Sequence, residues 1–340
     1  MPTVRAAATA TNALRAPSKR GLRSARSLVV VGVCLVAGSC GRSSSTTSAQ
    51  PPLERETVPT STTAPPSAPT SSVATTSTTS VPAHFDISTT TLRLVDHSRP
   101  TVSRGQALSP QRSLTTLVWY PTSAGRWPLV VFAHGFEVGP APYEQLCRAW
   151  AAAGYVVAAP EFPLTDADVA GPAMDENDVV NQPDDVAFVV ASLLTPTSPL
   201  AGHLDRTRVA VAGHSDGAVT ALAVAAAHRV ALRGVIAMSG APVAGTAPNP
   251  PLLVAQGDQD TIDPPATGMA VYEQADRPRF MLSLLGGGHL PPFAGGSRWQ
   301  AVVDKVTVDF LDRYVSARTS ADTALRDDGQ PGLASIDADP

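Results

Sequence analysis

Cysteine is scarce in this chain, charge is thin, and no apolar stretch is long. Three cysteines in 340 residues cannot build a disulfide framework. The apolar run near the start, Leu28–Ala37, is about half of the ~20 residues that a membrane-spanning helix needs. There is no His-Glu-x-x-His, no closely paired cysteines, and no glycine-rich loop ending in Lys-Ser or Lys-Thr. The patterns of zinc and phosphate sites are therefore missing, and no cofactor or metal is expected. Basic charge is short as well. Six of the 25 basic side chains stand before residue 40 with no acid among them, which leaves 19 basic against 29 acidic in the remainder. So acidic a body has no electrostatic footprint for nucleic acid, and that class is excluded.

What is present begins with an address. The six cations (Arg5, Arg15, Lys19, Arg20, Arg23, Arg26) precede Leu28–Ala37 and then Gly38, Ser39 and Cys40. A charged, then apolar, then small-residue order is that of a secretory signal over 1–39. Val36-Ala37-Gly38-Ser39-Cys40 resembles a bacterial lipoprotein cleavage box, which implies lipidation of Cys40 and a membrane anchor outside the cytoplasm. Cys34 would leave with the signal, so Cys147 alone remains. It sits in the apolar stripe Tyr143, Leu146, Cys147, Trp150, where a buried structural thiol is expected.

From Gly41 to Ala83, 28 of 43 residues are Ser, Thr or Pro. That composition cannot offset chain entropy, and residues 40–83 are expected to be a disordered tether. Residues 316–340 hold five aspartates and few apolar side chains and read as a loose acidic tail. Between them, 84–315 forms one domain. Its valine-rich runs predict strands at Leu114–Tyr120, Leu129–Ala133, Tyr155–Pro160, Arg208–Ala212, Gly234–Met238, Leu252–Ala255 and Phe280–Leu285. Helical periods alternate with them at Ala141–Ala153, Pro183–Leu194, Gly217–His228, Ala266–Ala275 and Arg298–Tyr314. Near-continuous apolar strands between helices predict an α/β fold, a mostly parallel sheet covered on both faces. Ligands in such sheets sit beyond the carboxyl ends of the strands.

Chemistry stands at those ends. Arg208–Ala212 runs into Gly213-His214-Ser215-Asp216-Gly217 and then a helix, the strand-to-helix context in which Gly-x-Ser-x-Gly exposes a nucleophile. Ser215 needs a base, and the base needs an orienting acid. Gly286-Gly287-Gly288-His289 follows the last predicted strand, and Gly257-Asp258-Gln259-Asp260-Thr261-Ile262-Asp263-Pro264 follows the one before it. His289 is the expected base. Asp260 is the expected acid, with Asp258 and Asp263 as competitors. Leu129–Ala133 leads into His134-Gly135-Phe136. The backbone N–H groups of Phe136 and Asp216 are the expected oxyanion donors, while His134 is expected to pack the loop.

Together these segments resemble the α/β-hydrolase superfamily, most closely the branch of chlorophyllases, platelet-activating-factor acetylhydrolases and bacterial cutinases. Asp260-Thr261-Ile262 with Pro264, and His289-Leu290-Pro291-Pro292, are similar to the acid and histidine loops of bacterial cutinases. Asp96-His97-Ser98-Arg99-Pro100, Val118-Trp119-Tyr120-Pro121 and Asn181-Gln182-Pro183 resemble the chlorophyllase-like group. The likeness spans about residues 92–315. It implies an α/β-hydrolase fold and a serine esterase with Asp260 as the triad acid. Dienelactone hydrolases share the fold but use cysteine, so Ser215 points away from them.

The expected activity is hydrolysis of a small-molecule or lipid ester through an acyl-enzyme, by a protein anchored through Cys40. A peptidase lacks any repeat or added domain to select peptides. A non-catalytic binding protein would have no reason to keep Ser215, Asp260 and His289 together. Glu161–Gln182, rich in acids, is expected to cover the site and to disfavour strongly anionic substrates.

Overall fold

The computed structural model describes residues 84–244 and 250–340. The signal, Cys40 and the tether lie outside the described residues. In chain order the elements are β1 (Ile87–Asp96), β2 (Thr101–Ser103), β3 (Gln106–Ser109), β4 (Arg112–Pro121), β5 (Trp127–Ala133), α1 (Glu144–Ala152), β6 (Val156–Pro160), α2 (Ala167–Ala170) and α3 (Gln182–Leu193). Then come β7 (Leu204–His214), α4 (Asp216–Ala226), β8 (Gly234–Met238), β9 (Leu252–Gly257), α5 (Pro265–Gln274), β10 (Arg279–Leu284), α6 (Gln300–Tyr314), α7 (Ala321–Asp327) and β11 (Ala334–Asp339).

Nine strands form one sheet in the order β1-β4-β6-β5-β7-β8-β9-β10-β11. The six strands from β6 to β10 run parallel, while β4 and β11 pair antiparallel to their inner neighbours. Alternation explains the uninterrupted apolar runs. Val209 and Val211 of β7 face one core layer with α3, α4 and α5, and Ala210 and Ala212 face the other with α1 and α6. Both faces are buried there, so the stretch Val209–Ala212 carries no polar side chain. Each large aliphatic side chain enclosed there contributes roughly 1.5–3 kcal/mol. Cys147 is fully buried in the second layer, and burial pushes its thiol well up, out of the reactive range.

Each strand expected from the sequence is present. The structure corrects the tail. Residues 316–340 are not a loose acidic segment: they form α7 and β11, and β11 pairs with β10 from Arg279↔Asp339 to Leu284↔Ala334. Leu325 and Ala334 are buried in the second core layer. Two of the acids find cations: Arg277 and Arg279 bond Asp339 at 2.7 and 2.9 Å, and Lys305 pairs with Asp328. A few apolar side chains and neutralised aspartates suffice where a sheet edge is waiting for a partner.

Candidate active site

Every loop that follows a parallel strand emerges at the same end of the sheet. β7 ends at His214, and Ser215 takes φ 56°, ψ −124° before capping α4. A non-glycine residue in the left-handed region is strained. The flanking glycines make the turn possible. A Cβ on Gly213 would strike the Gly217 carbonyl, and one on Gly217 would strike the Ala133 carbonyl at the end of β5. Ser215 is thereby held at the amino end of α4, where the first N–H groups have no intrahelical acceptor.

His289 reaches that hydroxyl. Its Nε2 lies 2.9 Å from Ser215 Oγ, and its Nδ1 lies 2.8 Å from Asp260 Oδ2. A carboxylate only accepts, so Nδ1 carries the proton and Nε2 offers its lone pair to the serine O–H. Asp260 is 3% exposed. Its Oδ1 accepts the Ile262 and Asp263 N–H groups at 2.9 and 3.0 Å, and its Oδ2 also accepts Gln256 Nε2 at 3.1 Å. Burial pushes this carboxyl up, but the bonds from His289 and the backbone outweigh it and hold it below its usual value. Of the three competing aspartates, the structure brings Asp260 to the imidazole. Asp258 instead accepts the Gly286 N–H at 2.6 Å and ties the two loops together. Gly286 has φ 71°, a conformation that suits glycine.

A second histidine stands behind the first. His214 Nε2 lies 2.9 Å from the His289 carbonyl, and its Nδ1 lies 2.7 Å from the Tyr143 hydroxyl. The carbonyl can only accept, so Nε2 donates and Nδ1 accepts from Tyr143. Burial, followed by the proximity of His289, lowers the His214 pKa to about 3 and keeps the ring neutral. Neither partner is apparent in the sequence. Tyr143 reads there only as one position of a buried helical stripe, and the pairing spans 71 residues.

The loop after β5 packs against the nucleophile: a Cβ on Gly135 would sit 3.2 Å from Ser215 Cβ. The neighbouring Phe136 is half-buried. His134 packs this loop, as expected. Its Nδ1 donates to the Gly135 carbonyl at 2.8 Å and its Nε2 accepts the Phe162 N–H at 3.1 Å. Burial lowers its pKa, which suits a ring that stays neutral and structural.

Residues 161–182 pack against the loop after β5, with the Glu137 N–H bonded to Thr165 O at 2.9 Å. Two buried clusters fix this covering segment. Gln182 Nε2 donates to Thr165 Oγ1 at 2.8 Å, and Gln182 Oε1 accepts from Thr220 Oγ1 of α4 at 2.5 Å. Arg112, 1% exposed, forks onto Asp178 at 2.7 Å and Asp185 at 2.6 Å. Arg99 adds bonds to Asp96 at 2.6 Å and Asp185 at 2.7 Å. Burial works against the Arg112 charge, but the two carboxylates outweigh it and push the guanidinium still further up.

Asp216 is the discordant group. Burial, then the negative charges of Glu176 and Asp263, raise its carboxyl to about 6, with only His289 opposing. A cavity of about 550 Å³ lined by Ala225, His228, Leu232, Arg233 and Tyr314 lies at the far end of α4. It is remote from Ser215, so the geometry of the triad and not cavity size locates the site. Among the described residues no helix is long and apolar enough to cross a membrane.

No curated protein matches the chain. A family profile described as Chlorophyllase matches residues 82–255, which takes in the oxyanion loop and the nucleophile turn but stops short of Asp260 and His289. The match covers more than half of the sequence, and its span carries the same Gly-x-Ser-x-Gly turn and parallel sheet. The chain belongs to the chlorophyllase family of the α/β-hydrolase superfamily.

Proposed function

We propose that the protein is a serine-dependent carboxylic ester hydrolase. One observation carries the reading: the unbroken relay Asp260–His289–Ser215, at 2.8 and 2.9 Å, with the serine held at φ 56°. Ser215 Oγ forms a bond to the ester carbonyl carbon while its proton passes to His289 Nε2. Asp260 stabilises the imidazolium that results. The Phe136 and Asp216 N–H groups hold the oxyanion. The carbon–oxygen bond to the alcohol then breaks, and His289 returns the proton to the leaving oxygen. Water, activated by the same imidazole, hydrolyses the acyl-serine.

The test combines a fluorophosphonate probe with a series of nitrophenyl esters from acetate to palmitate. Labelling is expected within the peptide Gly213–Gly217 and at no serine outside it, because a hydroxyl without a neighbouring base stays a weak nucleophile. Ser215→Ala should lower turnover by roughly a millionfold and leave about 10³–10⁴-fold over water. Full activity of that variant, or labelling elsewhere, overturns the reading.

We further propose that the protein is exported and anchored through Cys40. The cationic, apolar, small-residue order of residues 1–40 supports this. Cys40→Ala is expected to release the protein from the detergent phase or to block its processing. Unchanged partitioning would defeat the anchor.

A further inference from the structure

Phe136 and Asp216, whose N–H groups the serine-esterase reading assigns to the oxyanion, stand on different elements: the loop after β5 and the first position of α4. Two donors serve one oxygen only when their spacing is held to about 0.5 Å. The loop after β5 does not hold itself. Glu137 takes φ 65°, a left-handed conformation that strains any residue with a Cβ and persists only where the surroundings impose it. Its N–H, in the same peptide unit as the Phe136 carbonyl, donates to Thr165 O at 2.9 Å. The preceding peptide unit, which carries the Phe136 N–H, is gripped at its carbonyl: Gly135 O accepts from His134 Nδ1 at 2.8 Å, and His134 Nε2 accepts the Phe162 N–H at 3.1 Å. Both grips end on residues 162–165.

Behind Thr165 the line continues to the other donor. Gln182 Nε2 donates to Thr165 Oγ1 at 2.8 Å, and Gln182 Oε1 accepts from Thr220 Oγ1 at 2.5 Å. Thr220 belongs to α4, the helix that Asp216 opens. Thr165 and Gln182 are 0% exposed and Thr220 is 1% exposed. Buried polar groups bonded to one another add little net stability over apolar groups of the same shape. What they add is a fixed direction. The line is not needed merely to keep the segment in place, because Arg112 secures it separately through Asp178. Building on the serine-esterase reading, we propose that Gln182 is a positioning residue for the oxyanion donors. Through Thr165 it keeps the Phe136–Glu137 peptide in its strained orientation, and through Thr220 it registers the Phe136 N–H against that of Asp216. Being wholly buried, it does not meet the substrate and acts only through this turn.

The experiment uses the full chain, with active sites counted by fluorophosphonate labelling. It measures kcat and KM for a nitrophenyl ester, the pH dependence of kcat/KM, and inhibition by butylboronic acid. Ser215 Oγ bonds to the boron while its proton passes to His289, and one boronate oxygen then stands where the oxyanion would. Gln182→Leu removes both side-chain hydrogen bonds, and Thr165→Val removes the hydroxyl that Gln182 grips but keeps the backbone carbonyl. Each is expected to lower kcat per labelled site about 10–30-fold, short of the roughly 10²–10³-fold that follows outright loss of an oxyanion donor. KM should stay within about twofold, since the loss falls on the transition state. Boronate inhibition should weaken in proportion, while the acidic limb of the pH profile, set by His289, stays where it is. Thr165→Ser keeps the hydroxyl and should hold kcat within about threefold of wild type. A kcat within about threefold of wild type in Gln182→Leu and Thr165→Val overturns the proposal, and either variant decides alone if the other fails to fold. So does a lowered kcat with boronate inhibition unchanged or the acidic limb displaced, because the loss then lies in the triad or in general packing. A wild-type chain that neither turns over the ester nor labels at Ser215 overturns the esterase reading itself, and this proposal with it.

Discussion

Tyr143 and His214 put a neutral imidazole in the service of a reactive one. The His289 carbonyl fixes the His214 proton on Nε2, and the Tyr143 hydroxyl donates to the Nδ1 left bare, so the ring is held from both sides. Tyr143→Phe removes the donor to Nδ1 and leaves the ring that supports the His289 backbone held from one side only. The expected result is a kcat about tenfold lower with KM nearly unchanged, read from steady-state kinetics. A purely structural role would instead lower the melting temperature and leave kcat per folded molecule intact. Asp260→Asn should leave the fold intact and reduce kcat by about 10⁴, whereas Asp263→Asn should not approach that loss. Asp304 provides a stability test away from the site. Burial raises its carboxyl to about 6, partly offset by the Gln300 hydrogen bond. A folded-state pKa above the unfolded value means that its contribution is fully present below about pH 4 and lost as the pH rises through about 6. Asp304→Asn is therefore expected to raise the melting temperature at pH 8 relative to wild type, with little difference at pH 4. Ser215, Asp260 and His289 were legible as a set in the sequence because each lies on a short, glycine-marked loop just after a strand. His214 was printed inside the same motif, but its partner on a distant helix leaves no local pattern.

At the level of elements, legibility followed burial. Strands β5 to β10 have both faces covered, so their apolar runs stand out from the polar chain around them. The two edges do not. β1 carries the run Ser88-Thr89-Thr90-Thr91, which continues the composition of the tether, and its pairing with β4 over Ile87↔Pro121 to Asp96↔Arg112 is a backbone matter. β11 was hidden by its aspartates for the same reason. Removing residues 329–340 should bare the β10 edge, lower the melting temperature and promote self-association, seen by light scattering. The Arg112 cluster was hidden more deeply, since its members come from β4, the 176–181 turn and α3. Arg112→Met strands the buried Asp178 carboxylate and leaves Asp185 to Arg99 alone, and a loss of about 3–5 kcal/mol in denaturant unfolding is expected.

Across the whole molecule, chemistry and support divide cleanly. The parallel sheet supplies a fixed platform, and one end of it gathers the loops that carry Ser215, Asp260, His289 and Phe136. Chain segments far apart in sequence meet there because every parallel strand delivers its following loop to that end. The covering segment is a different matter, since its contacts tie it down at Thr165, Asp178 and Gln182 to elements beneath and beside it. A flap that must swing aside gives its enzyme a lag on encountering aggregated substrate and a jump in rate once the substrate passes its solubility limit. This one is riveted at both ends. Progress curves should accordingly be linear from the first seconds, and a plot of velocity against ester concentration should pass through the solubility limit without a step.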